Sequence, residues 1–235
     1  IMEQWLDYTF GGHSCRLFFD GALYVEALDT LFLSDIHLGK GGQFRKEGIP
    51  TPIAVHRFGM KRLSSAIDRH LNARIVFLGD LFEGAQNKET SELLTFIKQR
   101  PNREFILVKG NHDFDLPSWS ELKVYDEYHL GNFICLHEPP GSNFDKNISF
   151  DFEKARLKYR EMSEGKVLIC GHLHPGASLK GKGRFRVKMK AFFFNQWIGV
   201  LPAFGALTGH YSLAEKGTYF GIAENYVVPL GDWDK

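Results

Sequence analysis

Cysteine is scarce in this chain, net charge is almost absent, and no apolar run is long and unbroken. The three cysteines, Cys15, Cys135 and Cys170, form no CxxC pair and leave an odd count. That excludes a disulfide framework and fits a reducing, cytoplasmic setting. A net charge of +1 gives no whole-molecule field for nucleic acid or membrane, so electrostatic recognition must be local. The most apolar stretch, Ala191–Leu207, is interrupted by Asn195, Gln196, Gly199, Pro202 and Gly205. It reads as two strands around a turn, not as a membrane span. The opening IMEQWLDYTF lacks a basic segment ahead of an apolar core, so no secretory signal is expected. No repeat, low-complexity tract or Pro/Gly/Ser-rich linker divides the chain. With 235 residues, 43% hydrophobic and 24% charged, it reads as one globular domain over 1–235.

What is present is a set of five short apolar runs, each ending in polar residues of one chemical kind. They are LFLSDIH (Leu31–His37), IVFLGD (Ile75–Asp80), FILVKGNHD (Phe105–Asp113), FICLH (Phe133–His137) and VLICGHLH (Val167–His174). Aliphatic runs of this length, stopped at once by Asp, Asn or His, read as buried strands. In open α/β folds, sites lie in the crevice at the carboxyl ends of strands. Between the runs, Leu63, Ile67 and Leu71 recur at i, i+4, i+8 and predict a helix over about Ile53–Leu71. Leu93, Leu94 and Ile97 predict a second near Glu89–Arg100, stopped by Pro101. Phe152, Ala155, Tyr159 and Met162 predict a third, ending before Gly165. Leu17–Phe19 and Leu23–Val25 around Asp20-Gly21 predict a hairpin. The order β-α-β-α-β, then strand–helix–strand, then mostly β, predicts an α/β fold of mixed sheets with helices outside.

Asp35 and His37 stand at i, i+2, and so do His172 and His174. At an extended strand end such residues point the same way and can reach one ion. Asp80 follows Gly79, Asn111 offers an amide oxygen and His137 an imidazole. Two carboxylates, one amide and four imidazoles, with no thiolate, suit Mn²⁺, Fe or Zn²⁺ better than Ca²⁺. Seven ligands exceed one tetrahedral site and suit two divalent ions roughly 3.5–4 Å apart sharing a carboxylate. The remaining histidines, His13, His56, His70, His129 and His210, read as ordinary.

DxH, GD, GNHD, a lone His after a strand, and GHxH, in that order over Leu31–His174, resemble the calcineurin-like metallophosphoesterase superfamily. The resemblance implies a four-layer sandwich, two mixed β-sheets flanked by helices. It implies one metal on Asp35, His37, Asp80 and His174 and a second on Asp80, Asn111, His137 and His172, with Asp80 bridging. It also places His112 as the acid that protonates the leaving oxygen after attack by a metal-activated hydroxide. Asp80 and Asp113 are then the candidates to orient its ring. The chain departs from the pattern in two places. Glu138-Pro139-Pro140 follow His137 where many relatives carry Gly, and Glu83 ends GDLFE where many carry Asp, Asn or His. Glu83 reads either as a group that supports the metal ligands or as a solvated carboxylate, the latter being the preferred reading.

Two features bear on substrate. Lys40, Arg45 and Lys46 lie in a Gly-rich segment after His37, read as a phosphate-binding loop. Lys180, Lys182, Arg184, Arg186, Lys188 and Lys190 alternate with apolar or small residues, which as one strand gives a basic face able to track a phosphodiester backbone. HLGKGGQFRKEGIPTP (His37–Pro52), GHLHPG and LPAFGALTGHYSL (Leu201–Leu213) are similar to the bacterial ligase-associated DNA-damage-response phosphoesterase family, PdeM, related to the SbcD nuclease. That implies a cytoplasmic, Mn²⁺-favouring phosphodiesterase or endonuclease on DNA, working with an ATP-dependent DNA ligase, a helicase and a second nuclease. GDLFE with GNHDF is also similar to UDP-2,3-diacylglucosamine hydrolase, a nucleotide pyrophosphatase. That family typically carries Arg in place of His112, and no exposed amphipathic helix for a lipid is evident. A third reading, a non-enzymatic scaffold that reuses the fold, fits less well because the catalytic His and every ligand position are kept.

Overall fold

A computed structural model describes residues 5–52, 54–83, 88–114, 116, 119–141, 150–180, 186–213 and 215–232. The first sheet begins with a hairpin, β1 (Trp5–Phe10) and β2 (His13–Phe18), followed by β3 (Leu23–Val25) and β4 (Thr30–Leu33). It continues with β5 (Arg74–Leu78), β6 (Phe105–Val108) and β7 (Leu122–Tyr125), in spatial order β1-β2-β3-β4-β5-β6-β7. Strands β4 to β7 are parallel, and the hairpin strands before them are antiparallel. The expected DG turn joins β2 to β3: Gly21 has φ 88, and Asp20 accepts from the Ala22 amide at 3.1 Å.

The second sheet contains β8 (Tyr128–Leu130), β9 (Phe133–Cys135), β10 (Val167–Cys170), β11 (Pro175–Lys180), β12 (Arg186–Phe194), β13 (Ile198–Val200) and β14 (Tyr211–Ser212). Its order is β14-β11-β12-β13-β10-β9-β8, and β15 (Thr218–Ala223) and β16 (Tyr226–Asp232) branch from β12. β9, β10 and β13 run parallel while β11–β12 and β12–β13 are antiparallel. Both sheets are therefore mixed. The segment Ala191–Leu207 holds the end of β12, a turn at Asn195–Trp197 and β13, as its glycines and Pro202 suggested.

Strand side chains alternate between two cores. Val76 and Leu78 of β5 join Phe32, Ile106, Phe133, Ile169 and Phe194 between the sheets. Ile75 and Phe77 face outward into a second core with Leu63 and Ile67 of α2 (Ala54–Asp68) and Leu93 and Ile97 of α3 (Lys88–Lys98). Burial on both faces is why these strands read as continuous apolar runs rather than alternating ones. On the far side, Ile134, Leu168, Phe193 and Ile198 pack on Phe152 and Ala155 of α4 (Phe152–Met162). Asp151 caps α4 by accepting from the Lys154 amide at 3.0 Å, with Glu153 in the first turn. Helix, sheet, sheet, helix is the expected four-layer sandwich. Burying each such Leu, Ile or Phe is worth about 1.5–3 kcal/mol. Leu71 departs from expectation: α2 ends at Asp68, and Leu71 beyond it is 75% exposed.

The three cysteines are free and buried in these cores, and burial pushes the Cys15 thiol up to about 11. No helix among the described residues is long and apolar enough to cross a membrane.

Candidate metal centre

The strands β4, β5, β6, β9 and β10 deliver their final residues to one end of the sandwich. Beyond Leu33 and Leu78, backbone pairing continues: Asp35 N–H donates to Gly79 O, His37 N–H to Asp80 O and Leu38 N–H to Leu81 O. The Glu83 amide returns to Leu38 O at 2.8 Å. The two turns that carry Asp35, His37, Asp80 and Glu83 are thus zipped together. A third segment closes over them, with Phe204 N–H on Ser34 O and Gly205 N–H on Asp35 O at 2.8 and 2.9 Å.

The local conformation differs from the extended strand end that the i, i+2 spacing suggested. Eight described non-glycine residues have positive φ, and five of them are Asp35, His37, Asp80, His172 and His174. Left-handed backbone at such residues costs roughly 1–3 kcal/mol each and persists only where the surroundings impose it. The paired side chains converge because left-handed turns aim them, not because strand alternation does. Two glycines make the close approach possible. A Cβ at Gly171 would overlap Ser34 Oγ and Asp35 Oδ2, and one at Gly79, whose φ is 73, would overlap the His137 ring.

All seven expected ligands meet here. His137 donates from Nδ1 to Leu78 O at 2.9 Å, which fixes its tautomer and turns Nε2 inward. Around that Nε2 lie Asp80 Oδ1 at 3.4 Å, Asn111 Oδ1 at 3.2 Å and His172 Nδ1 at 3.1 Å. On the other side His174 Nε2 is 3.0 Å from Asp35 Oδ1, and His37 Nε2 is 3.7 Å from Asp80 Oδ2. The two oxygens of Asp80 therefore face two different ligand groups. The segment Glu138–Pro140 does not displace His137.

The residues present fit divalent cations. Asp35 and Asp80 are buried side by side, and Nε2 of His37 is buried without a hydrogen-bond partner. Groups left this way cost free energy unless an ion satisfies them. Asp35, Asp80, His37, His137, His172 and His174 fall in ligand-distance groups of three. Burial acts to raise the Asp35 carboxyl, but His174, His137 and the Ser34 hydroxyl outweigh it and hold it well below the usual carboxylate range. Burial opposes the charged form of His137, yet Asp80 and Asp35 push it up to about 9.

His112 stands beside Asn111, half-buried, and its backbone N–H donates to Asp80 Oδ1 at 2.9 Å. Its ring is oriented by neither candidate carboxylate. Asp113 is fully buried and accepts from the Phe82 and Gly110 amides at 3.0 and 2.9 Å, so it serves the backbone. Glu83 takes the ring instead, with Oε1 3.2 Å from His112 Nδ1 and Oε2 2.6 Å from His37 Nδ1. Glu83 is not a solvated carboxylate: its side chain is 8% exposed. Leu81 and Phe82, both apolar and buried, carry the chain inward to it; that was the sequence signal for its burial.

The expected substrate contacts are dispersed. Lys40, Arg45 and Lys46 lie on a helix, α1 (Lys40–Lys46), not in a loop. Lys40 Nζ is 3.7 Å from Glu83 Oε2, within the centre, whereas Arg45 donates to Thr51 O and Lys46 is exposed at the helix end. The basic stripe is no single strand. β11 and β12 pair antiparallel, with Lys180 opposite Arg186, so the stripe folds back on itself. Arg186 and Lys188 are exposed, Arg184 lies outside the described residues, and Lys190 turns inward to donate to Ala203 O and Gly205 O at 2.7 Å each.

The fold and this cluster define a metallophosphoesterase. The calcineurin-like phosphoesterase family model matches residues 28–136. The crystal structure of Pseudomonas putida nuclease MPE superimposes with a TM-score of 0.70 at 21% identity, covering 96% of this chain and 100% of that one. A Vps29 mutant from Entamoeba histolytica gives a TM-score of 0.40 at 16% identity, covering 86% and 98%. A phosphoesterase-like protein from Streptococcus pneumoniae gives 0.34 at 20% identity, covering 80% and 78%. No curated protein matches the sequence significantly.

Proposed function

We propose that this chain is a dinuclear-metal phosphodiesterase that cleaves nucleic acid, with DNA as its substrate. The observation that carries the reading is Asp80, whose Oδ1 faces the His137 group at 3.4 Å and whose Oδ2 faces the His37 group at 3.7 Å. One metal would be held by Asp35, His37, Asp80 and His174, the other by Asp80, Asn111, His137 and His172. Bound divalent cations supply neutralisation of the phosphoryl oxygens and acidify a water near neutral pH. Every other part of the work falls to the protein. His112, with Nδ1 against Glu83, keeps Nε2 directed away from that carboxylate, and Nε2 gives its proton to the leaving oxygen. Asp80 fixes the backbone of His112, and Lys40 limits the negative charge that Glu83 brings to the centre.

Nucleic acid is favoured as substrate by the exposed cations Arg186 and Lys188 on β12 and by the fold shared with the Pseudomonas putida nuclease. Mn²⁺ is the favoured metal, because an N/O donor set without thiolate suits it. A place in DNA repair, beside a ligase, a helicase and a second nuclease in the cytoplasm, rests on the PdeM resemblance alone. The test is hydrolysis by the purified protein, with Mn²⁺, of bis(p-nitrophenyl) phosphate, DNA and UDP-diacylglucosamine in parallel. Cleavage of the first two is expected. Rapid cleavage of the lipid nucleotide with DNA left intact overturns the nuclease reading, and inactivity on all three with metal bound overturns the enzyme reading.

A further inference from the structure

Ser34 precedes the first ligand candidate, Asp35, and phosphoryl transfer makes no direct use of it. It stands one position beyond β4, abreast of Leu78 at the end of β5, and is fully buried. Its hydroxyl lies 2.5 Å from Asp35 Oδ2 and 3.0 Å from Leu78 O. One proton cannot serve both acceptors. The carboxylate is the nearer and the charged one, and hydrogen bonds to charged groups are the stronger kind, so the hydroxyl donates to Asp35. Leu78 O has a donor of its own, Nδ1 of His137 at 2.9 Å.

This bond decides which way Asp35 faces. Oδ2 takes the Ser34 hydroxyl and the His172 N–H at 3.0 Å, against Gly171, where a side chain would overlap both Ser34 and Asp35. Oδ1 takes the longer arm of the same amide, at 3.2 Å, and looks to the ligand group, 3.0 Å from His174 Nε2. A carboxylate held by its rear oxygen offers one oxygen to a cation. The χ2 torsion of aspartate is soft, so the side chain itself does not stop the second oxygen from swinging in. The Ser34 hydroxyl does.

Cations differ in what they need. The group on this side supplies Asp35, His37, Asp80 and His174, two carboxylates and two imidazoles. With one oxygen from each carboxylate it is a small N/O set, suited to Mn²⁺ or Zn²⁺. Ca²⁺ takes roughly six to eight oxygens and often draws both from one carboxylate.

We propose that Ser34 is a positioning residue that sets metal specificity: by tying down Oδ2 it makes Asp35 a one-oxygen ligand and biases the centre against Ca²⁺. This rests on the dinuclear-metal reading above and adds to it the group that selects the cation. The competing role for Ser34 is to brace β4 against β5 through Leu78 O, which would weaken every cation alike.

The test is competition between Mn²⁺ and Ca²⁺ for the purified protein at constant pH. Displaced Mn²⁺ is counted by its paramagnetic resonance signal, and no turnover is needed. The wild type should hold Mn²⁺ against a large excess of Ca²⁺. Ser34→Ala frees Oδ2 and should raise the affinity of one of the two positions for Ca²⁺, relative to Mn²⁺, about 10-fold or more, the scale on which such partners act on bound metals. Ser34→Cys, close in size but with a weak S–H donor, should shift the ratio the same way by less, and it carries the test if the alanine variant does not fold. Both affinities falling by one common factor, with the ratio unchanged, overturns the proposal in favour of the brace. A wild type that binds Ca²⁺ as tightly as Mn²⁺ also overturns it and leaves the dinuclear reading standing. A wild type that takes up neither cation overturns both.

Discussion

Oε1 of Glu83 lies 3.2 Å from Nδ1 of His112, and this carboxylate also reaches His37. A group that should donate a proton and a group that should hold a metal are therefore oriented by one buried side chain. Burial alone would raise the Glu83 carboxyl. His112, His37 and Lys40 outweigh it and hold the carboxyl well below its usual range, so it is an anion at working pH. The hydrogen bond to Glu83 is in turn the main reason the His112 imidazole is pushed up.

Glu83→Gln should therefore lower both activity and the pH at which activity is lost. A partner of this kind is typically worth about 10–100-fold in metal affinity or rate. His112 must be protonated to act as an acid, so activity declines as pH rises through its pKa. Removing the anion brings that decline to lower pH. A kcat/KM profile at saturating Mn²⁺ checks it. An alkaline limb that stays in place would show that Glu83 does not set the charge of His112.

His112→Ala should separate chemistry from metal binding. General acid help is worth about 10²–10⁴ in rate. The variant should lose that much turnover and keep its full metal content, measured by elemental analysis after dialysis. Loss of metal would make His112 a ligand. The substrate arm of the same experiment is informative: a good leaving group such as p-nitrophenolate needs little protonation, so its hydrolysis should suffer less than that of DNA.

Metal uptake should release protons. In the metal-free protein His137 is held up at about 9 by Asp80 and Asp35, against the effect of burial. It is then charged at neutral pH and must lose its proton to act as a ligand. Apparent metal affinity should rise as pH increases towards about 9 and flatten above it. Calorimetric titrations in buffers of different ionisation enthalpy should give about one proton released as the site that includes His137 is filled. For the metal-free fold the sign is opposite. The charged His137 contributes stability that is complete below about 6.5 and is lost as pH rises through about 9.

Much of this centre was legible because burial and chemistry coincide in the same short segments. Ile75–Leu78 must be apolar on both faces to sit between a helix layer and a second sheet, so Asp80 just beyond them stands out. The structure brings these residues to one end of the sandwich, by a backbone geometry that the spacing did not reveal. Spacing cannot distinguish an extended end from a left-handed turn, and Asp35 at φ 53 and His172 at φ 64 are turns. Glu83 looks like any acidic residue until Leu38 is seen to pair with Leu81 and return to the Glu83 amide. The alternation of basic residues from Lys180 to Lys190 was real, but β11 and β12 pair antiparallel, which splits the stripe over two strands. Gly41 and Gly42 suggested a loop after His37. A short helix forms there nonetheless, helped by Gln43 Nε2 donating to Glu47 one turn later at 3.0 Å.

Lys190 shows that a residue placed on a binding face by pattern can serve the scaffold. Its ammonium is mostly buried and donates to Ala203 O and Gly205 O, in the segment that closes over Asp35. Burial, and after it the charge of Arg62, bring its pKa down to about 8 from 10.5. Between those values the unfolded chain binds more protons than the folded one, so stability rises with pH there. Below about 8 both states are charged and the cost of the buried ammonium is fully present. The rise attributable to Lys190 is at most about 3 kcal/mol over the window. Lys190→Met removes it, so the difference between wild type and variant in urea-melt stability should change between pH 8 and 10.5 and be constant below. Titrating groups that do not feel Lys190, such as Cys15, cancel in that difference. A difference that stays flat through the window would mean that the ammonium is hydrated and that the 203–205 segment is held by its backbone contacts with Ser34 and Asp35 alone.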